Sequence, residues 1–214
     1  MEAPGCHDAV RRSYDAVAGK YAAAFRDELG HKPLDRALLA SIAEQAGGGA
    51  PIADLGCGPG HVTAWLARRG ASAVGIDLAA AMVEAGRRDC PQAEFRQGDL
   101  LELPAGGGEF AAVVALYSII HLAPDELPRA FGEIHRVLRP PGLVLAAFHA
   151  GSGVVHRDEW MGEQVDVDFR FLEPAEIAGL MEGAGLRVEA RLERVSYPQE
   201  IDTRRAYLLG RRQA

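Results

Sequence analysis

Apolar residues recur at intervals of three and four between residues 7 and 29, at Val10, Tyr14, Val17, Tyr21 and Phe25. That spacing predicts a helix with one buried face. Pro33 opens a second helix over Leu34 to Gln45, which Gly47-Gly48-Gly49 ends. From Ile52 the pattern changes to short apolar runs separated by helical stretches. Ile52–Leu55, Ala73–Asp77, Ala93–Gln97, Phe110–Leu116 and Leu143–Phe148 read as strands, and His61–Arg69, Ala79–Arg88, Pro124–Leu138 and Pro174–Glu182 as helices. Phe110–Leu116 is apolar throughout, as a central strand buried on both faces must be. Two further strands, Arg187–Val195 and Thr203–Gly210, follow with no helix between them. The alternation predicts an α/β three-layer sandwich with one seven-stranded, mostly parallel sheet, its last strand antiparallel.

Two stretches interrupt the rhythm as surface turns, residues 104–109 and Arg139-Pro140-Pro141-Gly142. A third, 149–173, leaves the framework: glycines, then His156-Arg157-Asp158-Glu159-Trp160, then the alternating Val165-Asp166-Val167-Asp168-Phe169-Arg170-Phe171. With 214 residues, 48% of them hydrophobic, the chain is expected to form one domain over 1–214, with helices in 1–48 and the 149–173 insertion as its appendages.

Charge narrows the partners. A net charge of −7 offers no general attraction to nucleic acid or anionic lipid. Arg204-Arg205 and Arg211-Arg212 are local basic clusters of the kind that coat a strand or tail. No apolar run reaches the ~18 residues of a membrane span, and the N-terminus lacks a basic-then-apolar signal pattern. Cys6, Cys57 and Cys90 are not spaced as metal ligands or a disulfide framework. A reduced, cytoplasmic setting is expected, with no metal, no nucleic acid and no membrane, as monomer or homodimer.

The chemistry centres on Asp54-Leu55-Gly56-Cys57-Gly58-Pro59-Gly60, a strand running into a glycine turn and then a helix start. Such a junction turns backbone N–H groups and a helix N-terminus toward a ligand. Against the dinucleotide spacing G-x-G-x-x-G, Gly56 and Gly58 fit, but His61 holds the third position and Gly60 falls one residue early. Asp54 would repel a pyrophosphate and suits a cationic nucleoside. Cys57, inside the turn, is expected to pack beneath it. Asp77, ending the next strand, offers two acceptor oxygens for ribose hydroxyls, or else caps the following helix.

Asp54–Gly60 resembles the first motif of class I S-adenosylmethionine-dependent methyltransferases, and the order of features follows that family from about residue 50 to about 150. His135-Arg136-Val137-Leu138-Arg139-Pro140-Pro141-Gly142 is also close to a family signature, with Pro141 departing from the usual glycine. The resemblance implies a Rossmann-like fold with S-adenosylmethionine as cofactor. It places the nucleoside above Gly56, Cys57, Gly58 and Gly60, the ribose on Asp77, and the adenine beside Leu78 and Met82. The Gly98-Asp99-Leu100 turn would meet the adenine amino group and a ring nitrogen, and Leu116 would end the central strand beneath. Tyr14 and Tyr21 would belong to a lid, and 149–173 would carry substrate-binding elements.

The activity implied is methyl transfer to oxygen or nitrogen of a small organic acceptor, such as a natural-product or secondary-metabolite intermediate. A hydroxyl acceptor needs a general base, and histidine, with its ordinary pKa of ~6.5, is the natural candidate. His121 and His149 are the candidate bases. Tyr117, His121, His149, His156, Arg157, Trp160 and Arg170 are the candidate substrate contacts, the arginines for an acidic acceptor and the aromatics for an apolar one. Two other readings stand beside this one. A dinucleotide oxidoreductase is disfavoured by His61 and Asp54, whereas a nucleoside-binding relative acting as a cyclase or ligand-binding regulator stays open.

Overall fold

The structure, a computed structural model, describes residues 6–213; the first five residues, Ala214 and the side chain of Cys6 lie outside it. Helices α1 (Cys6–Phe25) and α2 (Pro33–Ala46) come first. Strands β1 (Ile52–Leu55), β2 (Ala73–Asp77), β3 (Glu94–Gln97), β4 (Phe110–Leu116) and β5 (Leu138–His149) then alternate with helices α3 (His61–Ala67), α4 (Ala80–Asp89) and α5 (Leu127–Val137). After β6 (Val154–Trp160), β7 (Glu163–Arg170) and α6 (Pro174–Gly183), the chain closes with β8 (Leu186–Arg194) and β9 (Arg205–Arg212).

Seven strands form one sheet in the order β3-β2-β1-β4-β5-β9-β8. β1 pairs in parallel with β2 and β4, while β9 runs antiparallel between β5 and β8. The order reverses between β1 and β4, and a crevice opens at the carboxyl ends of strands at such a switch point. β1, β2 and β4 are buried on both faces, β4 as its unbroken apolar run requires, β1 and β2 with one acid each, Asp54 and Asp77. Phe110, Phe131 and Phe148 fill one side of the sheet, and Leu39, Ile42 and Leu66 the other. No helix of the described residues is long and apolar enough to cross a membrane.

Four expectations need correction. The first helix stops at Phe25, and a separate 3-10 turn covers Glu28–His31. Gly30 and Pro33 sit where a continuous helix would have to pass, and both disfavour helix interiors. The Arg139–Gly142 segment is no turn but the start of β5. The 149–173 insertion is a hairpin, β6 with β7, forming a second, two-stranded sheet apart from the main one. Its Val167 is buried, and β7 lies against α1, where Ser13 Oγ accepts the Asp166 N–H at 2.8 Å. The last two strands are shifted by one or two residues from their expected bounds.

Candidate functional site

A cavity of about 610 Å³ runs along the carboxyl edge of the main sheet, roofed by α1, the 3-10 turn and the β6–β7 hairpin. Residues reach it from the strand ends in sheet order: Asp99 beyond β3, Asp77 on β2, Gly56 to Gly58 beyond β1, Tyr117 beyond β4, His149 on β5 and Arg205 on β9. Tyr14, Tyr21, Asp54, Leu78, Leu100, Leu116, His121 and Trp160 line the same space.

The glycine turn is built as its sequence suggests. Gly56, Gly58 and Gly60 have φ of 66°, 53° and 84°, in the left-handed region that disfavours side chains. A Cβ on Gly56 would lie 2.3 Å from Ser118 Cβ, so the β1 and β4 ends close tightly there. Gly58 is the open position, with only Tyr21 near it at 3.7 Å. Cys57 is buried beneath the turn as a free thiol. Asp54 is 2% exposed and accepts the Thr63 hydroxyl at 2.6 Å. Burial raises its pKa despite that bond.

Asp77 has the arrangement of a ligand acceptor. Its two oxygens take the Gly58 N–H at 2.7 Å and the Ala79 N–H at 2.9 Å. Burial pushes its pKa up to about 6, the two N–H bonds opposing the shift. No cation pairs with it among the described residues, and each oxygen keeps a further lone pair for a hydroxyl. The two sequence alternatives, cap and ligand acceptor, therefore coexist on one carboxylate. Asp99 is engaged differently: one oxygen takes the Leu101 N–H at 2.8 Å and the other the His7 Nδ1–H at 2.7 Å. His7 also faces Glu126 at 3.0 Å. Burial alone would lower its pKa, but the two carboxylates outweigh burial and raise it.

The histidines differ in what their nitrogens are free to do. His121 Nδ1–H donates to the Asp168 carbonyl at 2.8 Å, which leaves Nε2 to accept the Tyr14 hydroxyl at 2.8 Å. Both nitrogens are thus occupied, and burial lowers the ring's pKa to about 4. His149 Nδ1 lies 2.8 Å from Thr203 Oγ1, and no hydrogen bond of the described residues involves its Nε2. Its pKa is also lowered to about 4, by burial and then by Arg205 and Lys32. Neither ring has a pKa near neutrality. Both are neutral at pH 7.

Six predicted contacts fall outside the cavity wall. Met82 is fully buried behind it, packed with Val17 and Ala79. Gly60 and Gly98 serve close packing, since a Cβ would strike Phe95 at 2.6 Å and Pro104 at 2.4 Å respectively. His156 and Arg157 lie on the exposed β6. His156 and Arg170 instead bracket the Asp168 carboxylate, each at 3.0 Å. The reason is the hairpin: β6 pairs with β7 and not with the main sheet, so His156 and Arg157 ride on an exposed strand, while Arg170 turns to Asp168 on its own strand.

The sequence also missed residues that the fold brings in. Lys32 is 6% exposed, bonded to Glu28 at 2.6 Å and 4.9 Å above the Tyr117 ring. Glu28 reaches His61 at 3.1 Å. Arg205, expected to coat a strand, is 3% exposed and lines the cavity. Its one legible signal was a basic residue opening an otherwise apolar run.

Comparison with known proteins agrees with this geometry. Residues 52–142 match the model of a methyltransferase domain. A malonyl-[acyl-carrier protein] O-methyltransferase of Methylovorus sp. is 34% identical over 149 residues, covering 64% of this chain and 48% of that protein. The chain spans about half the length of the curated relatives it matches first. The magnesium protoporphyrin IX methyltransferase of Synechocystis, solved with S-adenosylmethionine, superposes with a TM-score of 0.76 at 16% identity, covering all of both chains. A Burkholderia thailandensis 1,6-didemethyltoxoflavin-N1-methyltransferase superposes at 0.74 with 19% identity, over 100% of this chain and 94% of that one. At these identities the superpositions establish the fold, a seven-stranded Rossmann-like methyltransferase sheet with antiparallel last strand.

Proposed function

We propose that this protein transfers a methyl group from S-adenosylmethionine to oxygen or nitrogen of a small organic acceptor, a reading supported by the match of residues 52–142 to a methyltransferase domain. The observation that carries the reading is the Gly58–Asp77 pairing. A buried carboxylate with no cationic partner among the described residues is tied by the open glycine of the turn, on the wall of a cavity that His149 also lines.

The residues present fit the cofactor. Asp77 would hold the ribose hydroxyls on its remaining lone pairs, and Leu78 and Leu100 would flank the adenine. Asp99 meets the amino group at the end where His7 now bonds it. The open face above Gly58 admits the methionine chain. When bound, S-adenosylmethionine supplies a methyl carbon on a sulfonium, whose carbon–sulfur electron pair leaves with sulfur as the acceptor's bond to carbon forms.

The chain's part is alignment and proton removal. Positioning two reactants supplies much of the rate in a displacement of this kind. Tyr14, Tyr21, Trp160 and Phe169 form an edge-to-face cluster on the cavity roof, with neighbouring centroids at 6.0, 5.6 and 5.4 Å, which excludes water and walls an apolar acceptor. His149 Nε2 takes the proton of an acceptor hydroxyl as the new bond forms. His121 holds Tyr14 in place and is a positioning residue.

Two measurements test the reading. Titration calorimetry is expected to show binding of S-adenosylmethionine and S-adenosylhomocysteine and none of NAD. Mass analysis of small-molecule extracts incubated with enzyme and cofactor is expected to show products heavier by one methyl-for-hydrogen exchange. Binding of NAD alone would return the site to dinucleotide chemistry, and cofactor binding without any methylated product would favour a regulator or cyclase.

A further inference from the structure

Arg205 and His149 are register partners across the antiparallel β5–β9 pair, so their side chains leave the same face of the sheet. Thr203 joins them. Its Oγ1 lies 2.8 Å from His149 Nδ1 and accepts from Arg205 Nη1 at 2.6 Å. Arg205 Nη1 also donates to the Ile201 carbonyl at 2.8 Å and to the Thr203 carbonyl. These bonds fix the guanidinium but use only one of its three nitrogens. Nε is buried without a hydrogen-bond partner, its nearest carboxylate being Glu200 Oε2 at 3.5 Å. No hydrogen bond of the described residues involves Nη2.

Glu200 does not discharge this group. Its oxygens are taken by Arg194, at 2.5 and 2.8 Å, and it lies 3.5 Å from Lys32 as well. A guanidinium carries five donors, and a buried cation with unmet donors is costly unless a ligand meets them. Arg205 is 3% exposed, and it lines the cavity.

The sheet order says which ligand. Asp77 is on β2, and Arg205 on β9 is four strands away, roughly 19 Å at ~4.8 Å per strand. Arg205, held locally by Ile201 and Thr203 and standing opposite His149, lies toward the end of the cavity remote from Asp77, on the side of the candidate base.

We propose that Arg205 anchors a carboxylate of the acceptor, so that the molecule methylated here is an organic acid with an apolar body, its reacting oxygen or nitrogen lying on the His149 side. This rests on the methyltransferase reading above. A carboxylate held on a guanidinium stays ionised but loses nucleophilicity to the ion pair, so the anchored group is read as a handle and the methyl goes to a neighbouring group.

The test uses the whole chain saturated with S-adenosylhomocysteine and three probe pairs: benzoate, phenylacetate and hexanoate, each against its own amide. Trp160, at the cavity wall, is the fluorescence reporter. At least one acid is expected to bind at least tenfold more tightly than its amide, and Arg205→Met to abolish that preference. Arg205→Lys, which keeps the charge but not the fork, is expected to retain part of it. S-adenosylhomocysteine affinity and the thermal midpoint, measured on every variant, separate the outcomes. No preference for any acid over its amide overturns the proposal, and so does a preference that persists in Arg205→Met. If Arg205→Met stays folded but loses S-adenosylhomocysteine, the arginine serves the cofactor, and the proposal fails. Failure of the unmutated protein to bind S-adenosylhomocysteine would instead sink the methyltransferase reading.

Discussion

The Tyr14 hydroxyl donates to His121 Nε2 at 2.8 Å, linking the first helix to the turn after β4. Because Nδ1–H of the same ring is committed to the Asp168 carbonyl, the pair fixes one neutral tautomer and joins α1, the sheet edge and the β6–β7 hairpin. Tyr14→Phe leaves a buried acceptor unmet. It is expected to cost about 1–3 kcal/mol, read as a lower denaturant midpoint with unchanged slope. A variant as stable as the parent would mean that the three elements are held together by packing alone.

The same pair gives the protein an acid sensitivity of known sign. His121, neutral in the fold down to about pH 4, takes up a proton near 6.5 once unfolded. Its contribution to stability is full above 6.5 and is lost as pH falls toward 4, because the unfolded chain binds the extra proton. Asp77, raised to about 6, acts oppositely and gains in contribution as pH falls below 6. His121→Gln should therefore flatten the acid limb by up to ~1.4 kcal/mol per pH unit. Chemical denaturation at pH 4.5, 5.5 and 7 checks this, and parallel curves for parent and variant would refute it.

If His149 is the proton acceptor, its lowered pKa moves the pH dependence. Turnover should be level between pH 6 and 8 and fall only toward pH 4. His149→Ala should reduce kcat by about 10²–10⁴-fold, the range of general base catalysis, with S-adenosylhomocysteine affinity retained. A rate that instead follows a group titrating near 6.5 would assign the base elsewhere.

Asp77→Ala removes the acceptor for the ribose, and each charge-assisted bond lost is worth roughly 1.5–3 kcal/mol. Calorimetry should show cofactor affinity at least tenfold weaker. Unchanged affinity would limit Asp77 to holding Gly58 and Ala79.

Two glycines of the turn should separate by mechanism. Gly58→Ala meets open space and bears only the left-handed backbone penalty, about 1–2 kcal/mol. Gly56→Ala adds a 2.3 Å clash with Ser118, for another ~1–3 kcal/mol of overpacking. Equal midpoints for the two variants would contradict the closeness of the β1 and β4 ends.

The sequence by itself determined the sheet, the glycine turn and the acids that stand at the strand ends beside it. Those features are local: apolar runs name the strands, glycines at 56, 58 and 60 name the turn, and acids at strand ends follow in chain order. Tertiary structure decided the other end of the cavity. His156, Arg157 and Arg170 looked equivalent to Trp160 along the chain, and only the pairing of β6 with β7 left the first two on an exposed strand and turned Arg170 to Asp168. Arg205 looked like a surface residue until β9 inserted between β5 and β8 and buried it opposite His149. Lys32 and His7 came to the cavity through helix packing across many intervening residues. Such contacts depend on register and burial, which a one-residue shift in pairing would reverse, and no local pattern in the chain encodes them.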